Sequence, residues 1–295
     1  VDFVDIDENT YNMSVPALEQ KLQEAKSQGR LPKIVVPVHM AGQSCDMRAI
    51  KKLSEEYGFT LLEDASHCIG VDYADTKVGS CAYSDMAVLS FHPVKIITTG
   101  EGGMVLTNDA ALYERICLYR SHGITRDPKR MTKESDGDWY YQQVALGFNY
   151  RMTDIQAALG ASQMDRLDEF VARRRALAAR YDELLRDLPL RTPFVLAEAQ
   201  PSWHLYIVRV DFERIQRTRQ QIFTKMREQG VVLNLHYIPV HTQPYYQQLG
   251  FAYGDFPVSE KYYEQAFTLP LYYGLSNVQQ EKVVRALHHC IAETE

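Results

Sequence analysis

Ser90-Phe91-His92-Pro93-Val94-Lys95-Ile96-Ile97-Thr98-Thr99-Gly100-Glu101-Gly102-Gly103 follows a short apolar run, Met86 to Leu89. A run of that length, closed by Pro93 and a Gly-rich turn, reads as a buried strand. Lys95 then sits just past the strand's carboxyl end, where open α/β sheets form their ligand crevices. A loop lysine is ordinarily solvated. This one is flanked by Pro93, Val94 and the turn at 98–103, surroundings that strip water from an amine. Desolvation disfavours the ammonium form, and the neutral amine condenses with carbonyls.

A second run, Phe59-Thr60-Leu61-Leu62-Glu63-Asp64, ends in two carboxylates and is followed by Ala65-Ser66-His67. It reads as a parallel neighbour strand with Asp64 at its carboxyl end, in the same crevice as Lys95. A carboxylate buried there needs a cationic partner. The protonated ring nitrogen of pyridoxal phosphate (PLP) is such a partner, and the pairing turns the ring into an electron sink. His67 is placed to stack on that ring or to bond its phenolic oxygen. Taken singly, Asp64 is as well explained as a helix cap and His67 as a core histidine. Lys95, Asp64 and His67 together specify a PLP site.

Outward from these strands the first half alternates short apolar runs with amphipathic stretches, the pattern of βαβ units and a mostly parallel sheet. The expected elements are a strand at 1–6, a helix at 15–25 capped by Ser14, a strand at 34–38, and a helix at 47–57 opened by Asp46. Strands ending at Asp64 and Ser90 follow, then a strand at 103–107 and a helix from Asp109 to Tyr119. The polar stretch 125–140 reads as an exposed loop. One long helix is expected from Thr153 to about Leu185. Beyond it come strands at 204–210 and 231–235 and helices at 218–229, 258–267 and 277–292. The fold class is therefore α/β, with a large domain over 1–160 and a smaller α+β domain over 161–295.

The segments Glu63–His67 (EDASH), 90–103 and Gly147–Met152 (GFNYRM), in this order, resemble the DegT/DnrJ/StrS sugar aminotransferases, fold type I PLP enzymes. The resemblance runs through essentially the whole chain. It implies that Lys95 is the Schiff-base lysine and proton carrier, that Asp64 pairs with the ring nitrogen, and that His67 and Ser90 hold the ring and the phosphate. It further implies that Asn149 reaches across a homodimer interface, and that His236, Tyr237, Ile238 and Pro239 touch substrate. Pro37–Met47, Tyr119–Ile124, Trp203–Val210 and Leu235–Gly250 resemble the members that serve the pseudaminic acid pathway. The resemblance implies transfer of an amino group, with glutamate as donor, to C4 of a UDP-4-keto-6-deoxy-N-acetylhexosamine. The same chemistry on another nucleotide 4-keto sugar, and a catalytically incomplete fragment, are the alternatives. Sugar dehydratases of this fold carry histidine in place of the lysine, so Lys95 argues against that reaction. The family also carries roughly a hundred residues ahead of Val1, including a helix start whose N–H groups hold the phosphate, which implies an N-terminally truncated chain.

Composition narrows the partners. The 295 residues carry a net charge of −6 with 24% charged side chains, so no basic face invites nucleic acid. No apolar run approaches the roughly 18 residues that span a bilayer. Cys45, Cys68, Cys81, Cys117 and Cys290 show neither metal-ligand nor disulfide-framework spacing, which reads as a reduced, cytoplasmic protein without a metal.

Overall fold

The computed structural model describes residues 1–292. Its central sheet has four strands in the order Ile34–Val35, Thr60–Asp64, Met86–Ser90 and Gly103–Leu106. The first three are parallel; the last returns antiparallel to Met86–Ser90. A parallel neighbour requires a crossover, and Met47–Tyr57 supplies the first. Asp46 caps that helix by accepting from the Ala49 N–H, and Gly58, at φ 76°, ends it in the left-handed conformation that glycine adopts without strain. Its stripe of Met47, Ile50 and Leu53 is buried together with Leu18 and Leu22 of the Val15–Ser27 helix. Val35, Phe59, Leu61 and Tyr73 complete this cluster, at about 1.5–3 kcal/mol of burial per large apolar side chain.

The second half builds a separate antiparallel sheet from Leu190–Arg191, Tyr206–Val210 and Ala266–Leu269. Helices Leu167–Leu184, Arg219–Glu228 and Asn277–Ala292 pack on it, and Leu177, Tyr181, Tyr206, Val208, Ile222, Met226, Phe267 and Leu287 form its core. Thr218 starts the middle helix with a capping box closed by Gln221, the reciprocal pairing that satisfies two otherwise orphaned donors.

Several expectations change. Residues 1–6 form no strand beyond one bridge, Ile6 to Met13; Phe3 instead packs among the rings of Tyr246, Phe251 and Phe256. The strand at 34–38 shortens to Ile34–Val35, with a further bridge from Val38 to Asp64, because Pro37 has no N–H to donate to a ladder. The long helix is two, Asp154–Met164 and Leu167–Leu184. Thr153 caps the first with a capping box, and Asp168 and Glu169 place negative charge in the opening turn of the second. Residues 231–235 make only the Asn234–Thr268 bridge. The helix expected at 258–267 stops at Gln265, and Ala266–Leu269 becomes a strand buried along its whole length.

All five cysteines are free thiols. Among the described residues no helix is long and apolar enough to cross a membrane.

Candidate active site

Parallel pairing sets the site. Asp64 lies in register with Val88, so the carboxyl ends of Thr60–Asp64 and Met86–Ser90 stand side by side. The Asp64 N–H donates to the Pro37 carbonyl (2.9 Å), and its own carbonyl accepts from the His39 N–H (3.1 Å). Its carboxylate accepts from the Ser66 N–H at 3.1 Å. Past Ser90 the chain folds back on itself: the Phe91 N–H donates to the Gly102 carbonyl (2.8 Å), and the Phe91 carbonyl accepts from the Thr99 N–H (3.0 Å) and the Thr98 hydroxyl (2.9 Å). Glycine is required at 102, where a Cβ would sit 2.2 Å from the Thr99 hydroxyl. Inside this loop the Lys95 N–H bonds the His92 carbonyl at 2.9 Å, leaving the side chain half-buried.

Burial pushes the Lys95 amine below its ordinary pKa, and the negative charge of Asp64 pulls against that shift. His67 is driven down to about 4, first by burial and then by the positive charge of Lys95, with Asp64 opposing and His236 adding to the fall. His236 is lowered by burial and by Lys95; its Nδ1 lies 2.8 Å from the Thr268 hydroxyl, and the Tyr262 hydroxyl donates to its carbonyl. Lys95, Asp64, His67 and His236 thus share one electrostatic environment. Ser90 stands half-buried at the same strand end, its hydroxyl accepting from the His92 N–H at 3.4 Å.

Of the remaining sequence-predicted residues, Asn149, Ile238 and Pro239 make no hydrogen bond or ring contact with this group. Tyr237 and Ile238 are exposed beside it, and Pro239 leads into a single 3₁₀ turn at Val240–Thr242. Asn149 is exposed on the surface and bridges Ser121, between Phe148 and Tyr150, whose rings stack at 4.8 Å. A cavity of about 820 Å³ lined by Phe3, Ile6, Met13, Leu22 and Val35 shares no residue with the Lys95 group.

Residues that sequence reading did not single out complete the surroundings. His204 packs against His67, ring centroids 4.4 Å apart and the planes tilted by 37°. Behind it Arg174 is buried, its guanidinium donating to the carbonyls of Trp203 (3.0 Å), His204 (3.3 Å) and Leu271 (3.2 Å). Beneath Asp64, the buried Glu63 carboxylate takes the His39 Nε2–H at 2.8 Å and the Ser84 hydroxyl. The Cys45 N–H donates to His39 Nδ1 at 3.0 Å, which fixes the proton of that ring on Nε2. The only hint of these groups was polar residues inside apolar runs.

The residues present fit PLP. They offer an amine held towards its neutral form by burial, a carboxylate beside it, and a buried imidazole nitrogen, His67 Nδ1, with no partner. A lysine past one parallel strand with an aspartate at the end of its neighbour, in this fold, defines a fold type I PLP-dependent transferase. The chain belongs to the DegT/DnrJ/EryC1/StrS aminotransferase family, whose profile matches residues 1–288. It is 37% identical over 292 residues to the spore coat polysaccharide biosynthesis protein SpsC of Bacillus subtilis, spanning 98% of this chain and 73% of that protein. It is 36% identical over 294 residues to an uncharacterized protein of Methanocaldococcus jannaschii, spanning 99% and 74%. Among solved structures, Helicobacter pylori PseC, an aminotransferase involved in the biosynthesis of pseudoaminic acid, superposes with a TM-score of 0.86 at 28% identity, covering 99% of this chain and 73% of its own.

Proposed function

We propose that this protein, with PLP, moves an amino group onto C4 of a UDP-4-keto-6-deoxy-N-acetylhexosamine in pseudaminic acid synthesis. The observation that carries the chemistry is the half-buried Lys95 amine, lowered by burial and coupled to Asp64. The likeness to PseC favours this sugar. Glutamate is the donor: its nitrogen goes to the sugar carbon, one water supplies the oxygen of the 2-oxo acid that the donor becomes, and the sugar's keto oxygen leaves as one water, so that no net water is gained or lost.

When bound, PLP supplies an aldehyde that carries the amino group and a ring that draws electrons from the reacting carbon. The chain's own residues do the rest. Lys95 takes up a proton at Nζ and delivers it to the reacting carbon as general acid and base. Asp64 holds the proton of the ring nitrogen, Ser90 bonds the phosphate, and His67 lies against the ring. His236, Tyr237, Ile238 and Pro239 receive the sugar nucleotide, Tyr237 offering an exposed flat face suited to a sugar ring.

A homodimer working in the cytoplasm is part of this reading. Trp139, Leu146, Phe148, Tyr150, Ile155 and Leu159 are exposed within one short stretch of the chain, more apolar surface than a monomer usually leaves open. A second copy covering it brings Asn149 to the neighbouring site. Residues 1–160 then act as the cofactor-binding domain and 161–295 as the smaller one.

The higher identity to SpsC favours a second reading, the same transfer onto a different nucleotide 4-keto sugar of a surface polysaccharide. The chain is supplied with PLP and glutamate and offered UDP-, dTDP- and GDP-linked 4-keto sugars, with products followed by mass spectrometry. An amino sugar from the UDP-N-acetyl substrate is expected. Turnover of only the others selects the second reading, and turnover of none refutes both.

A further inference from the structure

Resting on the assignment of the Lys95 site to PLP, we propose that His204 is a positioning residue whose ring fixes the plane in which His67 meets the cofactor.

The segment that carries His204 is fastened directly over His67. The Ser202 hydroxyl donates to the main-chain carbonyl of His67 at 3.3 Å. The Ser202 N–H bonds the Gly42 carbonyl at 3.0 Å, and the Leu205 N–H bonds the Ala41 carbonyl at 3.1 Å. The two backbones lie so close that a Cβ on Gly42 would stand 2.7 Å from the His204 nitrogen. Trp203 is held at φ 53°, a conformation that a bulky side chain keeps only when its surroundings over-determine it. Arg174 does so by donating to the carbonyls on both sides of that peptide. The result is a tightly held backbone that delivers the ring 4.4 Å from His67, tilted 37° to it.

A histidine buried only to fill space finds partners for its nitrogens. Here Nδ1 of His67 and Nδ1 of His204 are both buried without one, so contact between the two rings, and not hydrogen bonding at Nδ1, is what holds the pair together. The groups facing His67 are Lys95, Asp64, His236 and His204; those facing His204 are His67, Lys95, Arg174 and His236. Among the described residues no carboxylate acts on His204, and it is held neutral by burial and by the positive charges of Lys95 and Arg174. A neutral ring supports His67 without placing a further positive charge near the ring nitrogen whose proton Asp64 must retain.

The test uses the full chain with 15N-labelled histidines, His67 being assigned through His67→Gln. In His204→Ala water enters beside His67, and its titration midpoint, followed by NMR in the protein without PLP, is expected to rise by more than about one pH unit. In the same variant PLP binds roughly tenfold more weakly, and kcat falls about tenfold while KM for the sugar holds. His204→Phe keeps the ring and is expected to restore both the titration and PLP affinity. An unchanged His67 midpoint in His204→Ala overturns the proposal, as does a Phe variant that behaves like Ala. Failure of PLP to attach at Lys95 in the parent chain, read by borohydride trapping, sinks the cofactor assignment instead; the His67 titration still decides the ring contact.

Discussion

The two sides of the Lys95 site differ in kind. One is local: Asp64, Ser90 and Lys95 come from two adjacent parallel strands and the loop after them, and sheet register alone sets them side by side. That side carries the opposed charges. The other is assembled from distant parts of the chain, with Ser202 bonding His67 across 135 positions and Arg174 bonding Leu271 across 97. It is neutral at His204 and His236, and short of hydrogen-bond partners. Topology sets the proposed reacting groups side by side, while long-range packing sets the polarity around them.

Removing the amine breaks the contrast most severely. Lys95→Ala should lose roughly 10⁴-fold in transamination rate and the near-visible absorption of protein-attached PLP, both read in a spectrophotometer. Asp64→Asn should cost roughly 10²-fold or more in kcat. It should also lower the Lys95 pKa further, because the Asp64 charge is what opposes burial there; pH-dependent acylation of the amine measures this.

On the assembled side, Arg174→Met keeps the volume but leaves three buried carbonyls without their donor. Urea unfolding should show a loss of about 2–4 kcal/mol. The same side makes the fold acid-sensitive. His67 titrates near 4 in the folded chain against 6.5 when free, so between those values the unfolded state binds more protons and stability falls as pH falls. The contribution of His67 is about 3 kcal/mol, present above pH 6.5 and lost towards pH 4; His67→Gln should flatten that slope. The smallest effect belongs to Ser90→Ala, where losing one hydroxyl bond to a phosphate should weaken PLP binding roughly tenfold by equilibrium dialysis.

The local side was legible because each part announces itself. The apolar runs 59–62 and 86–89 end abruptly in charge, proline or glycine. Asp46 and Ser14 cap helices where short polar residues precede amphipathic stretches. The assembled side carries no such signal. His204 is one polar letter in an apolar run, and nothing in the spacing ties it to His67 or to Arg174. His39, Glu63 and Ser84 converge from three separate segments. Ala266–Leu269 follows a helix without a break, and four apolar residues carry no period that separates strand from helix.

One further tie spans most of the described residues. The Asp5 carboxylate accepts the N–H groups of Val258 and Ser259 at 2.9 Å, opening the Pro257–Gln265 helix from 253 and 254 positions away. On the ribosome, the anchor therefore emerges long before the helix it fastens. Loop closure on that scale is slow, so the first turn of this helix receives its cap only once more than 250 residues separate the two partners. Asp5→Ala alone should therefore loosen the start of a helix more than 250 residues away.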